Sequence, residues 1–167
     1  MIRRKMLFAC IATVMFVGLT GSSIILGEEK EEKISLDKLP KAAIDNLKKR
    51  FPKGELKEAT VEKEKGKTSY EVVVMVGSVK YEVSLTGTGE IEEFEKVISV
   101  QTLPKAVLEA VTKKYVGCKI KDASELTVVK NGKETDMGFE LEIIPANSMK
   151  GIEIIVSAQG KITEKKD

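Results

Sequence analysis

The 167 residues include no histidine. Chemistry that relies on an imidazole is therefore closed to this chain: a Ser-His-Asp relay, a Cys-His pair, a histidine-ligated metal centre. Cysteine is almost missing too, with only Cys10 and Cys118. Cys10 falls in a leading apolar run, so the rest of the chain has one thiol and can close no disulfide on itself. About 140 residues are enough to bury a working core without one. Activation of Cys118 would need a neighbouring base or a strongly positive setting. The thiol chemistry left to it is an intermolecular disulfide. A dominant charge sign is also lacking. Residues 1–27 hold Arg3, Arg4 and Lys5 and no acid, and without them 25 basic and 26 acidic residues remain. The signs are finely mixed, without the basic patch that nucleic acid requires, which excludes nucleic acid as a partner.

What is present begins with Met1-Ile-Arg-Arg-Lys5, an apolar run from Met6 to Thr20, and then Gly21, Ser22 and Ser23. That order reads as an export signal over residues 1–27, with a cut between Gly21 and Gly27. The alternative is a membrane anchor over residues 6–26, because apolarity resumes at Ile24-Ile25-Leu26 and the run nears the length of a bilayer span. The chain is thus expected in the periplasm or secreted, or else held in the membrane. Arg3-Arg4 lacks the rest of a twin-arginine signal. Leu7-Phe8-Ala9-Cys10 has too short an apolar lead for a lipoprotein cut. Residues 28–33, Glu-Glu-Lys-Glu-Glu-Lys, read as a charged, flexible spacer.

Beyond the spacer the chain repeats itself. "ISLDKLPKAAIDNLKKRFPKGELKEA" from Ile34 aligns without a gap on "ISVQTLPKAVLEAVTKKYVGCKIKDA" from Ile98. Each copy opens with Leu-Pro, and proline suits a helix start, where its missing N–H costs nothing. Ala43, Ile44, Leu47 and Phe51, matched by Val107, Leu108, Val111 and Tyr115, form one apolar stripe on a helix of about three turns. Lys48, Lys49 and Arg50, like Lys113 and Lys114, add charge that the helix dipole favours in the last turn. Pro52 stops the first helix. Cys118 takes the place of Gly54, which marks it as a tolerated loop residue.

The period then changes to two. Tyr70, Val72, Val74 and Val76 point one way and Glu71, Val73 and Met75 the other. Tyr81, Val83 and Leu85 alternate with Lys80, Glu82 and Ser84. Phe139, Leu141 and Ile143, then Ile152, Ile154 and Val156, repeat the pattern. Lys65-Gly66-Lys67 and Asn131-Gly132-Lys133 mark hairpins. Gly89-Glu90-Ile91 and Gly160-Lys161-Ile162 turn into a last short strand. The expected fold class is α+β: two tandem units, residues 34–97 and 98–167, each with one helix on a small antiparallel sheet of about four strands.

"LPKAAIDNLKKRFP", "YEVVV" and "KYEVSLTGTGEI", with their second-copy partners, resemble the PepSY-like domains grouped with the β-lactamase-inhibitor-protein fold. The likeness covers nearly all of residues 34–164. It implies an exported, non-enzymatic module that binds or inhibits other proteins, with two units forming one continuous concave sheet. The inhibitor members are held by disulfides, which this chain cannot form, so β-lactamase does not follow as the target. No binding residue of the family maps onto this chain position by position.

Ser35-Leu36-Asp37-Lys38 matches the Ser-x-x-Lys nucleophile motif, but the companion motifs are missing and the second copy reads Ser99-Val100-Gln101-Thr102. "EIEEFEK", Glu90–Lys96, reads as a solvated edge strand whose charges discourage aggregation. No cofactor or metal set stands out. The candidate protein interface is the face turned from the helices: Val73, Met75, Ile144 and Ile155 among Glu71, Lys80, Glu82, Glu140, Glu142 and Glu153. Apolar anchors ringed by charge suit a protein-binding surface, and equally the packing of the copies on each other or in a homodimer. The expected function is a non-catalytic module binding an envelope protein or peptide, an inhibitor among its forms. The alternative is an envelope sensory or structural protein that responds to a small ligand or ion.

Overall fold

The computed structural model describes residues 30–64 and 66–164. The export signal or anchor expected over residues 1–27 lies outside them, as do residues 28 and 29 of the spacer. Among the described residues, no helix is long and apolar enough to cross a membrane.

Helix α1 (Lys41–Arg50) and helix α2 (Lys105–Lys114) each follow a single 3₁₀ turn, Leu36–Lys38 or Val100–Thr102. Pro40 and Pro104 stand at the caps with φ of −52° and −58°. Their rings set the entry angle, and their carbonyls accept from the amides of Ile44 (3.2 Å) and Leu108 (3.1 Å) to start the helical ladder. Ala43 and Leu47 on α1, like Val107 and Val111 on α2, are wholly buried. Burying a leucine side chain of this kind contributes about 1.5–3 kcal/mol.

The strands are β1 (Lys30–Ile34), β2 (Glu55–Glu64), β3 (Lys67–Val76), β4 (Val79–Thr86), β5 (Ile91–Ile98), β6 (Lys119–Lys130), β7 (Lys133–Ile144), β8 (Ile152–Val156) and β9 (Ile162–Glu164). They form one antiparallel sheet in sequence order. This corrects the expectation of two units that each carry a small sheet of their own. Strand β5 pairs with β4 through Val83 and Phe94, and with β6 through Val97 and Ser124. Two separate sheets would have left facing edges of backbone donors and acceptors without partners; one shared ladder satisfies both. Glu90–Lys96 is accordingly no edge strand. Among the described residues β5 is the fifth of nine strands, and its Glu95 is buried. The spacer is also partly ordered, since Lys30–Ile34 lies along β2 with Ile34 opposite Ala59.

Asn131 (φ 52°) and Gly132 (φ 72°) turn β6 into β7 with two successive left-handed residues, the geometry for which Asn-Gly is preferred in tight hairpins. Gly89 is needed for a different reason. Its φ is 88°, and a Cβ there would lie 2.4 Å from the backbone nitrogen of Ala43. That close approach lets the Asn46 side-chain amide donate to the Gly89 carbonyl at 2.9 Å, tying α1 to the start of β5.

Two apolar clusters lie on one face of the sheet. The first packs α1 on Val72, Val74, Val83, Leu85 and Phe94; the second packs α2 on Leu141, Ile143, Ile154 and Val156. The joint between them is aromatic and charged. Phe51 meets Phe94 edge-on at 5.7 Å and Tyr81 at 5.0 Å. The Arg50 guanidinium sits 4.4 Å from the Phe94 ring centre and donates to both carboxylate oxygens of Glu134, at 2.6 and 3.2 Å.

Candidate functional site

Strand alternation decides what the other face of the sheet carries. With Val72, Val83, Phe94 and Ala123 turned to the helices, the register sets Glu71, Ser84, Glu93 and Ser124 on the opposite side. All ten residues of the expected interface lie there, in two groups. Glu71, Val73 and Met75 of β3 stand beside Lys80 and Glu82 of β4. Glu140, Glu142 and Ile144 of β7 accompany Glu153 and Ile155 of β8. Two strands, β5 and β6, separate the groups.

The separating strands supply what sequence reasoning missed. Glu95 lies opposite Glu82 on one side and Leu126 on the other, and Ser124 lies opposite Glu140. Glu95, Ser124, Leu126 and Glu140 are all buried, the last at 2% exposure. The Ser124 hydroxyl donates to Glu95 Oε2 at 2.5 Å. The available signal was the alternation of Glu93, Glu95 and Val97 with Phe94, Lys96 and Ile98, which puts Glu95 on the helix-free face once β5 is paired on both sides.

Charge on this face is organised in short links. Lys80 Nζ lies 2.5 Å from Glu82 Oε1, and Lys121 Nζ lies 2.8 Å from both Glu142 oxygens. Lys33 meets Glu58 at 2.8 Å across β1 and β2, and this hydrogen bond holds the Glu58 carboxyl below its ordinary range. On the helix side of the sheet, Lys96 reaches Glu125 at 2.9 Å between β5 and β6, and that hydrogen bond raises the lysine above its ordinary value.

The hairpin end of the same face forms a groove of about 830 Å³. Thr60, Ser69, Ser84 and Thr86 contribute hydroxyls to its lining, and Glu71 alone of the ten expected residues reaches it. Among the described residues, no group of three or more carboxylate or thiol side chains is placed to hold a metal ion. Cys118 is half-buried beside the second cluster, its amide donating to the Tyr115 carbonyl at 3.0 Å. Ser35 and Lys38 are exposed on the 3₁₀ turn before α1.

No protein-family model and no curated protein matches the chain. Solved structures do. A BLIP-like protein from Bacteroides fragilis is 22% identical with a TM-score of 0.55, over 77% of this chain and 86% of the other. A DUF2874 family protein from Bacteroides uniformis is 16% identical with a TM-score of 0.57, over 75% and 86%. A candidate periplasmic protein from Bacteroides eggerthii is 13% identical with a TM-score of 0.57, over 76% and 87%. Identities this low speak for fold alone, and the fold is BLIP-like.

Proposed function

We propose that the protein is an exported, PepSY-like, non-catalytic module that binds a protein or peptide of the cell envelope through the helix-free face of its sheet. The observation that carries this reading is the continuity of that face. Pairing of β5 with β6 joins two patches into one face, with Val73 and Ile155 among charged neighbours and Leu126 buried between them. The signal-like order of residues 1–27 supports a periplasmic or secreted location, and the candidate periplasmic neighbour agrees with it. Inhibition of an enzyme is the narrower form suggested by the BLIP-like likeness.

The test immobilises residues 28–167 and exposes them to envelope extract beside a Val73→Asp/Ile155→Asp variant of matched thermal stability. A protein held by the parent and released by the variant is the expected result. Equal retention by both would remove this face from the function. Dimerisation abolished by the same variant would assign the face to self-association.

A further inference from the structure

The groove at the hairpin end differs in chemistry from the rest of the face. Its lining sets the carboxylates of Glu31, Glu62, Glu64, Glu71, Glu92 and Glu93 and the ammonium groups of Lys67 and Lys130 around an apolar floor that includes Tyr70, Val128 and Val129. Glu62, Glu64, Glu71 and Glu93 already take part in interactions, so what favours a cation is the net sign of the lining. The fold does not require that sign. Strand β1 lies on β2 in the register that β5 adopts on β6: Glu31 faces Glu62 as Glu95 faces Leu126. Leu126 and Val128 thus stand in the second half where Glu62 and Glu64 stand in the first. By the same correspondence Ile155 stands where Ser84 does, each one strand from the glutamate it faces, Glu140 or Glu71. Val128 itself lines the groove opposite Glu93, and Leu126 beyond it is buried, so the carboxylates of the first half end against apolar side chains of the second.

A compact metal ion is the wrong cation, because the carboxylates are spread over several strands and no three of them converge. Their spacing suits a long ligand. Glu62 and Glu64 lie on one face of β2, about 7 Å apart, and each further strand adds about 5 Å. An extended peptide points alternate side chains to one side at the same interval of about 7 Å. The volume of about 830 Å³ takes several such residues.

We infer that this groove seats an extended, basic segment of the partner, with lysine or arginine at alternate positions. The inference rests on the binding role proposed above and names the chemistry of what binds. Carboxylates hold the cationic heads, and the hydroxyls of Thr60 and Ser69 replace the water those heads give up.

The experiment is a calorimetric titration of residues 28–167 at low salt with the blocked hexapeptide Lys-Thr-Lys-Thr-Lys-Thr. Lys-Lys-Lys-Thr-Thr-Thr has the same charge in the wrong spacing. The alternating peptide should bind about tenfold more tightly, and Glu62→Gln/Glu71→Gln should remove about that factor, while Glu142→Gln/Glu153→Gln on the second half should cost less than about twofold. Equal binding of the two peptides, or equal losses in the two variants, would reduce the effect to general attraction and overturn the site. Sedimentation showing that this chain associates with itself, reversed by Glu62→Gln/Glu71→Gln, would give the groove to the lysine-bearing helix face of a second copy and overturn a peptide occupant. Loss of peptide binding in the glutamine variant with envelope capture intact would leave the wider face reading standing. Failure of capture with peptide binding intact would separate them the other way.

Discussion

The two halves of the sheet show how much freedom one backbone leaves to its side chains. Towards the helices they are nearly interchangeable: Ala43 and Leu47 over Val72 and Val74, Val107 and Val111 over Leu141 and Ile143, every one buried. A helix on a pleated sheet dictates such residues at such intervals. Away from the helices the halves part, with Glu62, Glu64 and Ser84 in one and Leu126, Val128 and Ile155 in the other. Nothing in the ladder of hydrogen bonds constrains that face, so its chemistry is where function can differ. The joint is a third environment. Phe94 in β5 brings Phe51 and Arg50 together, and the strand that begins the first half has Lys30 at the matching position in the register, opposite Lys63 where Phe94 is opposite Thr127.

The largest expected effect breaks the comparison at this joint. Phe94→Ala should cost about 3–5 kcal/mol, read as a lower urea midpoint. Because β5 belongs to both ladders, amides of β3 and β7 should lose protection together; a β7 that keeps its own midpoint would show two independent halves. Next come the helix–turn contacts. Gly89→Ala should cost more than about 1 kcal/mol, and Gly160→Ala somewhat less. Both glycines have positive φ, but the new Cβ meets backbone at 2.4 Å in the first and 2.8 Å in the second. Equal melting temperatures for the two variants would mean that φ strain dominates and the contact difference does not matter.

A smaller effect sharpens the charged part of the joint. Arg50→Ala should cost about 1 kcal/mol, since the pair with Glu134 is partly exposed and screened, and Lys114→Ala about half of that or less. Arg50→Lys should recover little, because an ammonium cannot span both oxygens of Glu134. The smallest effect is a matter of pH. Lys96 is raised above its ordinary 10.5 by its bond to Glu125, so the stability it adds is complete below that value and fades as pH rises through the folded one. Between about pH 9 and about pH 11.5 the wild type should lose slightly more melting temperature than Lys96→Met. Parallel curves would leave this link without thermodynamic weight.

The elements were legible wherever residues close in sequence decide them. Leu-Pro starts, apolar stripes and Asn131-Gly132 mark helices and hairpins because their causes lie within a few residues. Strand faces followed from alternation, which is why all ten expected residues share one side. The joining of the halves was not legible from alternation. Whether β5 meets β6 depends on the trajectory of α2 between them, and "EIEEFEK" has the charge of an exposed edge although Phe94 and Glu95 are both buried. The acidic groove escaped for a related reason: Glu62 and Glu64 come from β2, Ser84 from β4 and Glu93 from β5, and no window of sequence contains them together. Strand β1 was hidden by its own composition, since Lys-Glu-Glu-Lys has the look of a spacer until Ile34 is seen opposite Ala59.

The strict sequence order of the nine described strands has a consequence for time. Every ladder joins neighbours along the chain, so each strand needs only its predecessor to be in place, and loop closure stays inexpensive throughout. A chain threaded N-terminus first can fold from that end, with β2 to β4 and α1 assembling before β6 has emerged. Strand β5 then waits with one edge satisfied and one exposed, and its Glu95 and Lys96 keep that edge soluble until the second half arrives to cover it.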